Sequence, residues 1–244
     1  MKNSSIEWTH HTFNPWQGCT KVSAGCAHCY AETLSNRWGK DLWGPGRERQ
    51  RTSAAYWKQP LRWNKEAAMA GERHRVFCAS MADVFDEAVP NEWRMELWEL
   101  IAKTENLDWL LLTKRPKNAL GMLHHFWDNV WVGTSVEDQA TANERIPILL
   151  QIPVRVLFLS CEPLLGPLDL FPVKVDWVIV GGESGPKHRP MRTIWAEAII
   201  QQCTFAHVPV FIKQLGGYPD KRGDINEFPE YLRIREFPTA KATT

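Results

Sequence analysis

Long apolar runs and an excess of one charge sign are both missing from this chain of 244 residues. No stretch approaches the roughly 20 apolar residues of a membrane-spanning helix, and residues 1–15 carry no apolar core that would serve as a signal peptide. The formal net charge is +1, so binding to nucleic acid or to an anionic membrane would require a local basic patch. We therefore expect a cytoplasmic protein without a membrane partner.

The composition is typical of a folded globular protein, with 44% hydrophobic and 23% charged residues. Single α/β domains commonly reach this length, so the chain needs no second core. We predict one domain over residues 1–237. It includes a basic, irregular insertion rich in Gly, Pro and Arg at about 40–70, and a disordered tail follows at 238–244.

Short apolar runs recur from about residue 75 onward, each followed by polar residues and then by a segment of helical periodicity. The runs lack polar alternation, which is typical of parallel strands covered on both faces. Predicted strands lie at 76–79, 109–112, 130–132, 154–159, 177–180 and 208–212. Predicted helices lie at 30–38, 91–106, 117–127, 139–151 and 193–206. This order predicts an α/β fold, either an open doubly wound sheet or a complete or partial (β/α) barrel.

Polar side chains follow nearly every predicted strand. Ligands of parallel α/β folds bind beyond the carboxyl ends of the strands, so these residues are the first candidates for a site. They include Ser80, Asp83, Thr113, Lys114, Arg115, Ser135, Glu137, Ser160, Glu162, Glu183 and Lys213. A polar residue after one strand is uninformative, because strands commonly end in polar surface loops. The repetition of such residues around one rim indicates a site.

Three of the six cysteines lie close together, at Cys19, Cys26 and Cys29, whereas the other three are scattered. In a reducing compartment such a group indicates metal ligands rather than disulfides. Thiolates are soft ligands that select zinc, copper(I) or iron–sulfur clusters, and a two-residue gap lets both sulfurs of a turn reach one centre.

Three interpretations of the cysteine group remain open. Structural zinc requires four ligands, and His10, His11 or His28 would supply the fourth. A four-iron cluster held by three cysteines leaves one iron without a protein ligand and free to bind a substrate or cofactor. Buried or redox-active thiols are the third interpretation, although Gly18 and Gly25 favour an accessible loop.

The cysteine group, the aromatic Tyr30 directly after it and the following β/α units resemble the radical SAM superfamily. More closely, the chain is similar over residues 6–217 to the phage- and bacteria-borne three-Cys-motif proteins, a radical-SAM-like family. The similarity is carried by NPWQGCTKVSAGCAHCYAE, LLTKRP, VWVGTSVE, EPLLGPLDL, DWVIVGGESG and PVFIKQLGG. One departure is the gap of six residues between Cys19 and Cys26, since the common superfamily spacing is shorter.

The resemblance implies a partial (β/α)6-type barrel whose N-terminal loop holds a [4Fe–4S] cluster on Cys19, Cys26 and Cys29. The open iron would bind S-adenosylmethionine (SAM), which one electron from a flavodoxin- or ferredoxin-type donor cleaves to methionine and a 5′-deoxyadenosyl radical. The cofactor-binding residues would be Tyr30, Ser80, Asp83, Ser135, Glu137 and Glu162. Glu183 and Lys213 are the candidate catalytic residues.

A segment before the first predicted strand mixes cations with aromatic rings. Arg47, Arg49, Arg51, Lys58, Arg62 and Lys65 are interleaved with Tyr56, Trp57 and Trp63. The mixture suits a phosphate backbone with exposed bases, and it equally suits a solvated loop whose rings pack against the edge of the barrel. Together with a distant similarity to enzymes of the spore photoproduct lyase type, it favours modification or repair of a nucleic acid or nucleotide, with a partner protein. The alternative is a non-catalytic nucleic-acid- or protein-binding module with a structural zinc or iron–sulfur loop.

Overall fold

The computed structural model describes residues 4–239, except residues 124 and 126. In chain order, the strands are β1 (His11–Thr12), β2 (Trp16–Gln17), β3 (Gln50–Arg51), β4 (His74–Cys78), β5 (Leu107–Thr113), β6 (Val130–Ser135), β7 (Val156–Cys161), β8 (Trp177–Gly181) and β9 (Val210–Gln214). Seven of these described strands form one parallel sheet in the order β1, β4, β5, β6, β7, β8, β9, while β2 pairs antiparallel with β3. The sheet curls into a half-barrel, which confirms the predicted partial barrel.

The strands of the large sheet lie side by side in the order in which they occur along the chain, as in a (β/α) barrel. All six predicted strands are present, with ends that differ by a few residues. The first strand, β1, was not predicted. Its two residues are too few to show an apolar pattern, and it is identified only by its pairing with Val76 and Phe77 of β4.

The helices are α1 (Tyr30–Arg37), α2 (Ala54–Trp57), α3 (Gln59–Ala70), α4 (Asn91–Ala102), α5 (Pro116–Met122), α6 (Gln139–Leu149) and α7 (Thr193–Phe205). The five predicted helices are present, although α5 ends well before the predicted residue 127. None of the described helices is both long enough and apolar enough to cross a bilayer.

The prediction of an irregular insertion at about 40–70 is wrong for its second half, which contains α2 and α3. Pro60 lies in the first turn of α3, where its missing N–H costs no helical hydrogen bond. Trp63 and Ala67 then bury one face of that helix against the core, and Gly71 ends it in the left-handed conformation. In the predicted tail, residues 240–244 lie outside the described part of the chain.

Alternate side chains of the sheet point to opposite faces and enter two separate cores. The outer face packs against the helices through residues such as Trp109, Val132 and Val180. The inner face carries a second cluster, made of Trp8, Phe77, Leu110, Trp131, Val156, Phe158, Trp177, Ile179 and Phe211. This inner cluster packs within the half-barrel, below the polar residues at the carboxyl ends of the strands.

The inner face changes from aromatic to polar along β7 and β9. On β7, Phe158 is followed two residues later by Ser160, and on β9, Phe211 is followed by Lys213. Gly133 on β6 makes room for the Phe158 ring, because a Cβ at this position would lie 2.3 Å from it. The aromatic residues thus form a floor, and polar side chains stand above it.

The aromatic floor predicts a large energetic difference between two substitutions. Trp177 is fully buried and its ring contacts those of Trp8, Trp131 and Phe211. Trp177→Ala should therefore lower the free energy of unfolding by about 3–5 kcal/mol, measured by urea denaturation. Met69→Ala, at a position that is 88% exposed, should change it by less than about 0.5 kcal/mol. Equal effects of the two substitutions would contradict this assignment of the floor.

Three histidines meet at the amino end of β4. The His11 ring lies flat on Trp63, with centroids 4.5 Å apart, and its Nε2 is 3.1 Å from Nδ1 of His74. The His10 ring stacks on His74 with centroids 5.0 Å apart. Burial, reinforced by the charge of Arg75, lowers the pKa of His10 to about 4, and burial with the neighbouring His74 does the same for the pKa of His11. His10 and His11 are therefore uncharged near neutral pH.

This pair predicts a loss of stability on acidification. Unfolded histidines take up protons near their ordinary pKa of about 6.5, whereas the folded pair does so only near pH 4, so the unfolded state binds more protons between these values. The free energy of unfolding should therefore fall as the pH drops from about 6.5 towards 4. His11→Phe keeps a flat ring against Trp63 and removes one titrating group, so its stability should fall less steeply. Identical slopes of stability against pH in urea titrations would contradict a contribution from His11.

Candidate active site

A cavity of about 890 Å³ opens at the carboxyl ends of the parallel strands. Side chains at the ends of β6, β7 and β9 line it, and the cysteine loop, defined as residues 19–29, forms part of its wall. The predicted site residues that line this cavity are Cys19, Cys26, Cys29, Tyr30, Ser80, Asp83, Ser135, Glu162, Glu183 and Lys213. Glu137 is the predicted residue that does not line it.

The three thiols of the cysteine loop are partly buried on the cavity wall, and each is a free cysteine. Cys26 ends a short 3-10 turn, and Cys29 precedes the first turn of α1. Burial, with the nearby carboxylate of Asp83, raises the pKa of the Cys19 thiol to about 11, and burial also raises the pKa of Cys29. Among the described residues, no three His, Cys, Asp or Glu side chains are arranged around one point as ligands of a single ion.

The first anchor of the cysteine loop is the Asp83–Arg115 pair. Arg115 donates from Nη1 to Asp83 Oδ2 at 3.0 Å and from Nη2 to the Thr20 carbonyl at 2.7 Å. Its Nη1 also lies 3.5 Å from Cys19 Sγ. Asp83 is largely buried and accepts in addition from Thr113 Oγ1 and from the backbone N–H of Lys114. Asp83 therefore orients the guanidinium that contacts the first thiol.

The second anchor is Glu137, which lies behind the loop and is fully buried. Its carboxylate accepts from Ser23 Oγ at 2.8 Å and from Arg145 Nη1 at 3.0 Å, and Lys114 Nζ lies 3.5 Å away. A Cβ on Gly25 would lie 2.3 Å from Glu137 Oε1, so only glycine allows the loop to approach this closely. The structure thus gives Glu137 contacts to the loop rather than to the cavity.

The third anchor joins the loop to the segment after β8 through Glu183. Arg189 donates to this carboxylate from its Nε, at 2.9 Å, and from Nη2, and its backbone N–H donates at 2.8 Å. His28 Nδ1 lies 3.1 Å from Glu183 Oε2, and Arg189 Nη2 also donates to the Ala24 carbonyl at 3.0 Å. Burial would raise the pKa of Glu183, but the hydrogen bonds from Arg189 outweigh it and hold that pKa below its ordinary value.

Lys213 and Glu162 form an ion pair in the cavity wall, with Nζ 2.9 Å from Oε1. Ser160 donates from its hydroxyl to the other carboxylate oxygen at 3.2 Å. Burial alone would lower the pKa of Lys213, but the Glu162 carboxylate outweighs it and raises that pKa. The pair is thus charged and oriented, and it lines the same cavity as the thiols.

Tyr30 and Ser80 lie where the cysteine loop meets β4. The Tyr30 hydroxyl donates to the Ser80 carbonyl at 2.8 Å, while about half of the tyrosine side chain stays exposed. Asn14 Nδ2 donates to Ser80 Oγ at 3.1 Å, and Asn14 Oδ1 accepts from the backbone N–H of Met81. The tyrosine ring is therefore held at the cavity wall by its hydroxyl, and its face remains available.

The residues that anchor the loop were only partly found from the sequence. Arg115 was recognised as a rim residue but not as a contact of Cys19, since nothing in LLTKRP distinguishes a loop anchor from a ligand group. His28 was considered only as a zinc ligand, and the Arg189–Glu183 contact went unnoticed. The short separation of Glu183 and Arg189 in GESGPKHRP was the available signal, because a turn between them brings the two charges together.

Several members of the basic and aromatic segment have structural contacts. Arg49 is buried, pairs with Asp86 and donates to Thr20 Oγ1 at 2.8 Å. Trp57 and Trp63 are buried in the core, so neither ring can stack on a base. Of the remaining cations, Arg47 pairs with Asp41 at the surface.

By its chemistry, the donor set of the cysteine loop suits an iron–sulfur cluster, although the described side chains are not gathered around one point. Three soft thiols line one cavity, and a guanidinium beside Cys19 compensates negative charge on sulfur. The same set lacks a fourth cysteine, so one iron of a four-iron cluster would have no protein ligand.

Solved structures of spore photoproduct lyase share this fold. A cysteine-to-serine mutant of that enzyme matches with a TM-score of 0.50 and 14% identity, over 83% of this chain and 63% of that chain. A cysteine-to-alanine mutant with dinucleoside spore photoproduct matches with the same TM-score, identity and coverage. This chain therefore spans less than two thirds of the length of these lyases.

Curated proteins and protein families give different results. No curated protein is found to match this chain. A family described as a protein of unknown function, DUF5131, matches residues 3–239, nearly the whole sequence. The chain therefore belongs to the DUF5131 family.

Proposed function

We propose that this protein is a radical SAM enzyme that acts on a nucleic acid or nucleotide. The observation that carries the proposal is the position of Cys19, Cys26 and Cys29, which share the wall of one cavity at the carboxyl end of a partial barrel. A structural staple would need the thiols but not the ion pair of Lys213 and Glu162 that lines the same cavity.

Cys19, Cys26 and Cys29 would hold a [4Fe–4S] cluster. When bound, the cluster supplies the electron that cleaves SAM to methionine and a 5′-deoxyadenosyl radical, which removes hydrogen from the substrate. Arg115 holds the Cys19 side of the loop, and it places a positive charge next to that sulfur. Ser23 fixes the loop ahead of Cys26 through Glu137.

We propose Tyr30, Ser80, Ser135 and Glu162 as the residues that contact SAM. All of them line the cavity, and the exposed face of Tyr30 suits stacking against a purine. Asp83 and Glu137 belonged to the same predicted set. Because protein donors occupy their carboxylates, we now propose that these two position the cysteine loop instead.

We propose that Lys213 contacts either the carboxylate of SAM or the substrate. Its ammonium has three N–H donors, of which the pair with Glu162 uses one, and it lies on the cavity wall. Glu183 was predicted as catalytic together with Lys213. Its contacts with Arg189 and His28 support a positioning role for it at the cavity rim.

Three further parts of the proposal concern identity, substrate and electron source. The motifs of the cysteine loop and strand ends support a place among the three-Cys-motif proteins. A dinucleoside spore photoproduct bound to the lyase with the same fold is compatible with a nucleic-acid substrate here. We further propose a cytoplasmic location, an electron donor of the flavodoxin or ferredoxin type, and a partner protein.

The second candidate function is a non-catalytic binding module in which the cysteine loop holds a structural metal. The ionic anchors of the loop favour it, since a staple also needs a rigid attachment to the barrel. Zinc in place of iron and sulfide would support it.

Metal analysis separates the two candidates. After anaerobic reconstitution with iron and sulfide, we expect about four irons and four sulfides per chain. Alanine substitution of Cys19, Cys26 or Cys29 should abolish stable cluster binding, because each removes one ligand. Cys203→Ala, which removes a buried thiol on the outer face, should retain the full cluster. Stoichiometric zinc, or iron that survives the three loop substitutions, would contradict the proposal.

Lys213→Met tests the proposed contact to SAM. The substitution keeps the length of the side chain and removes its charge, so SAM affinity should fall about tenfold, or about 1.4 kcal/mol. Equilibrium dialysis with SAM measures this, and iron content per chain reports whether the cluster is intact. Lys103→Met, at a surface lysine that pairs with Glu99 on α4, is the matched control and should bind SAM like the wild type. Unchanged affinity in Lys213→Met would contradict a contact between Lys213 and SAM.

A further inference from the structure

A second cavity, of about 410 Å³, adjoins the large one. The two share Asn14, Gln17 and Tyr56 as lining residues, so they are neighbours along one continuous surface. The second cavity is lined by Asn14, Gln17, Lys40, Gln50, Arg51, Thr52, Ser53 and Tyr56. Each of these side chains is polar, which distinguishes this cavity from the mixed wall of the first.

Two cationic side chains line the second cavity. Lys40 and Arg51 line it, and none of its described lining residues is acidic. Lys40 Nζ donates to Gln17 Oε1 at 3.1 Å, which uses one of its three N–H groups. Such a pair of cations among amide and hydroxyl groups is the chemistry that binds a phosphate.

Arg51 is held in place by groups that leave most of its donors unused. Its guanidinium lies 4.3 Å from the centre of the Trp57 ring, and its Nη2 donates to Glu96. The contact with Glu96 is its one hydrogen bond from the guanidinium within the described residues. Nε is buried without a partner in the part of the chain that the structure describes, so the stack on a buried tryptophan fixes the cation at the cavity and leaves Nη1 as the group for a ligand.

Lys40 lies next to an aromatic ring of the large cavity. Its Nζ is 5.7 Å from the centre of the Trp38 ring, and Trp38 lines the large cavity with about half of its surface exposed. A base that enters the large cavity would find this ring beside a cation of the second cavity. Stacking of a base and contact with its phosphate are thus available side by side.

We infer that the second cavity binds a phosphate of the substrate, with Lys40 and Arg51 as its ligands, while the attached nucleoside enters the large cavity. The inference rests on the proposed function and narrows its substrate to a phosphate-bearing nucleotide unit, either within a nucleic acid strand or as a free nucleotide. A nucleoside without phosphate would leave the two cations unused.

Binding of a fluorescein-labelled single-stranded DNA 12-mer, followed by anisotropy at several salt concentrations, tests the inference. Lys40→Gln and Arg51→Gln should each weaken binding about tenfold, the size of one hydrogen bond to a charged group. Log affinity falls linearly with log salt, and each substitution should make this slope shallower by about 0.7, the value for one phosphate contact on a single strand. The midpoint of thermal unfolding and the iron content of each variant report whether the fold is intact.

Arg47→Gln is the matched control, because Arg47 belongs to the same segment, pairs with Asp41 at the surface and lines neither cavity. It should bind the DNA with nearly the affinity and salt slope of the wild type. Equal losses in Arg47→Gln and Arg51→Gln would overturn the inference, and so would unchanged binding in both cavity variants. Failure of the wild type to bind both the 12-mer and thymidine monophosphate would also overturn it.

Competition identifies the source of the phosphate. Thymidine monophosphate that displaces the 12-mer in the wild type, but less well in Arg51→Gln, would support a free nucleotide. Displacement by unlabelled DNA or RNA strands alone would support a nucleic acid. Thymidine that competes as well as its monophosphate would overturn the inference, because the phosphate would then contribute nothing.

The test is independent of catalysis. A protein that binds DNA through Lys40 and Arg51 but assembles no cluster would contradict the proposed function and leave the phosphate site standing. A protein that assembles the cluster and cleaves SAM, but whose DNA affinity does not change when Lys40 or Arg51 is substituted, would support the proposed function and contradict the phosphate site.

Discussion

Buried ion pairs at the carboxyl end of the sheet hold the cysteine loop against the half-barrel. Asp83 with Arg115, Glu137 with Arg145 and Glu183 with Arg189 each place a largely buried carboxylate next to a guanidinium, and each carboxylate or its partner also contacts the loop. Removing one member of such a pair leaves an unpaired charge inside the protein, which costs far more than a surface charge does. The position of the three thiols therefore depends on these carboxylates. The sequence predicts Asp83 and Glu137 as cofactor-binding residues and Glu183 as a catalytic residue.

The inner face of the sheet explains why the site lies where it does. Aromatic rings, with Trp177 at their centre, fill the inside of the half-barrel, and the large cavity opens at the carboxyl ends of the strands. Ser160, Glu162 and Lys213 stand directly above this floor on the same strands or just beyond them. Placing one polar residue two positions after an aromatic one is enough to change a strand from core to site, because side chains on one face recur every second residue.

The fold and the thiols could be predicted from the sequence, and the contacts that position them could not. Buried parallel strands leave apolar runs, and strand ends leave polar clusters, so the half-barrel and the polar strand ends that line the cavity could be predicted. The two-residue strand at His11–Thr12 leaves no pattern, and the helix at Gln59–Ala70 was masked by its proline and charged residues. The role of Glu137 depends on a loop more than a hundred residues earlier, which no local pattern records.

Reductive cleavage of SAM tests the central claim most directly. The reconstituted protein is incubated anaerobically with dithionite and SAM, and 5′-deoxyadenosine and methionine are measured by chromatography. The account predicts equal amounts of both products from the wild type and none from Cys26→Ala. Absence of 5′-deoxyadenosine from wild-type protein that carries a full [4Fe–4S] cluster would contradict it.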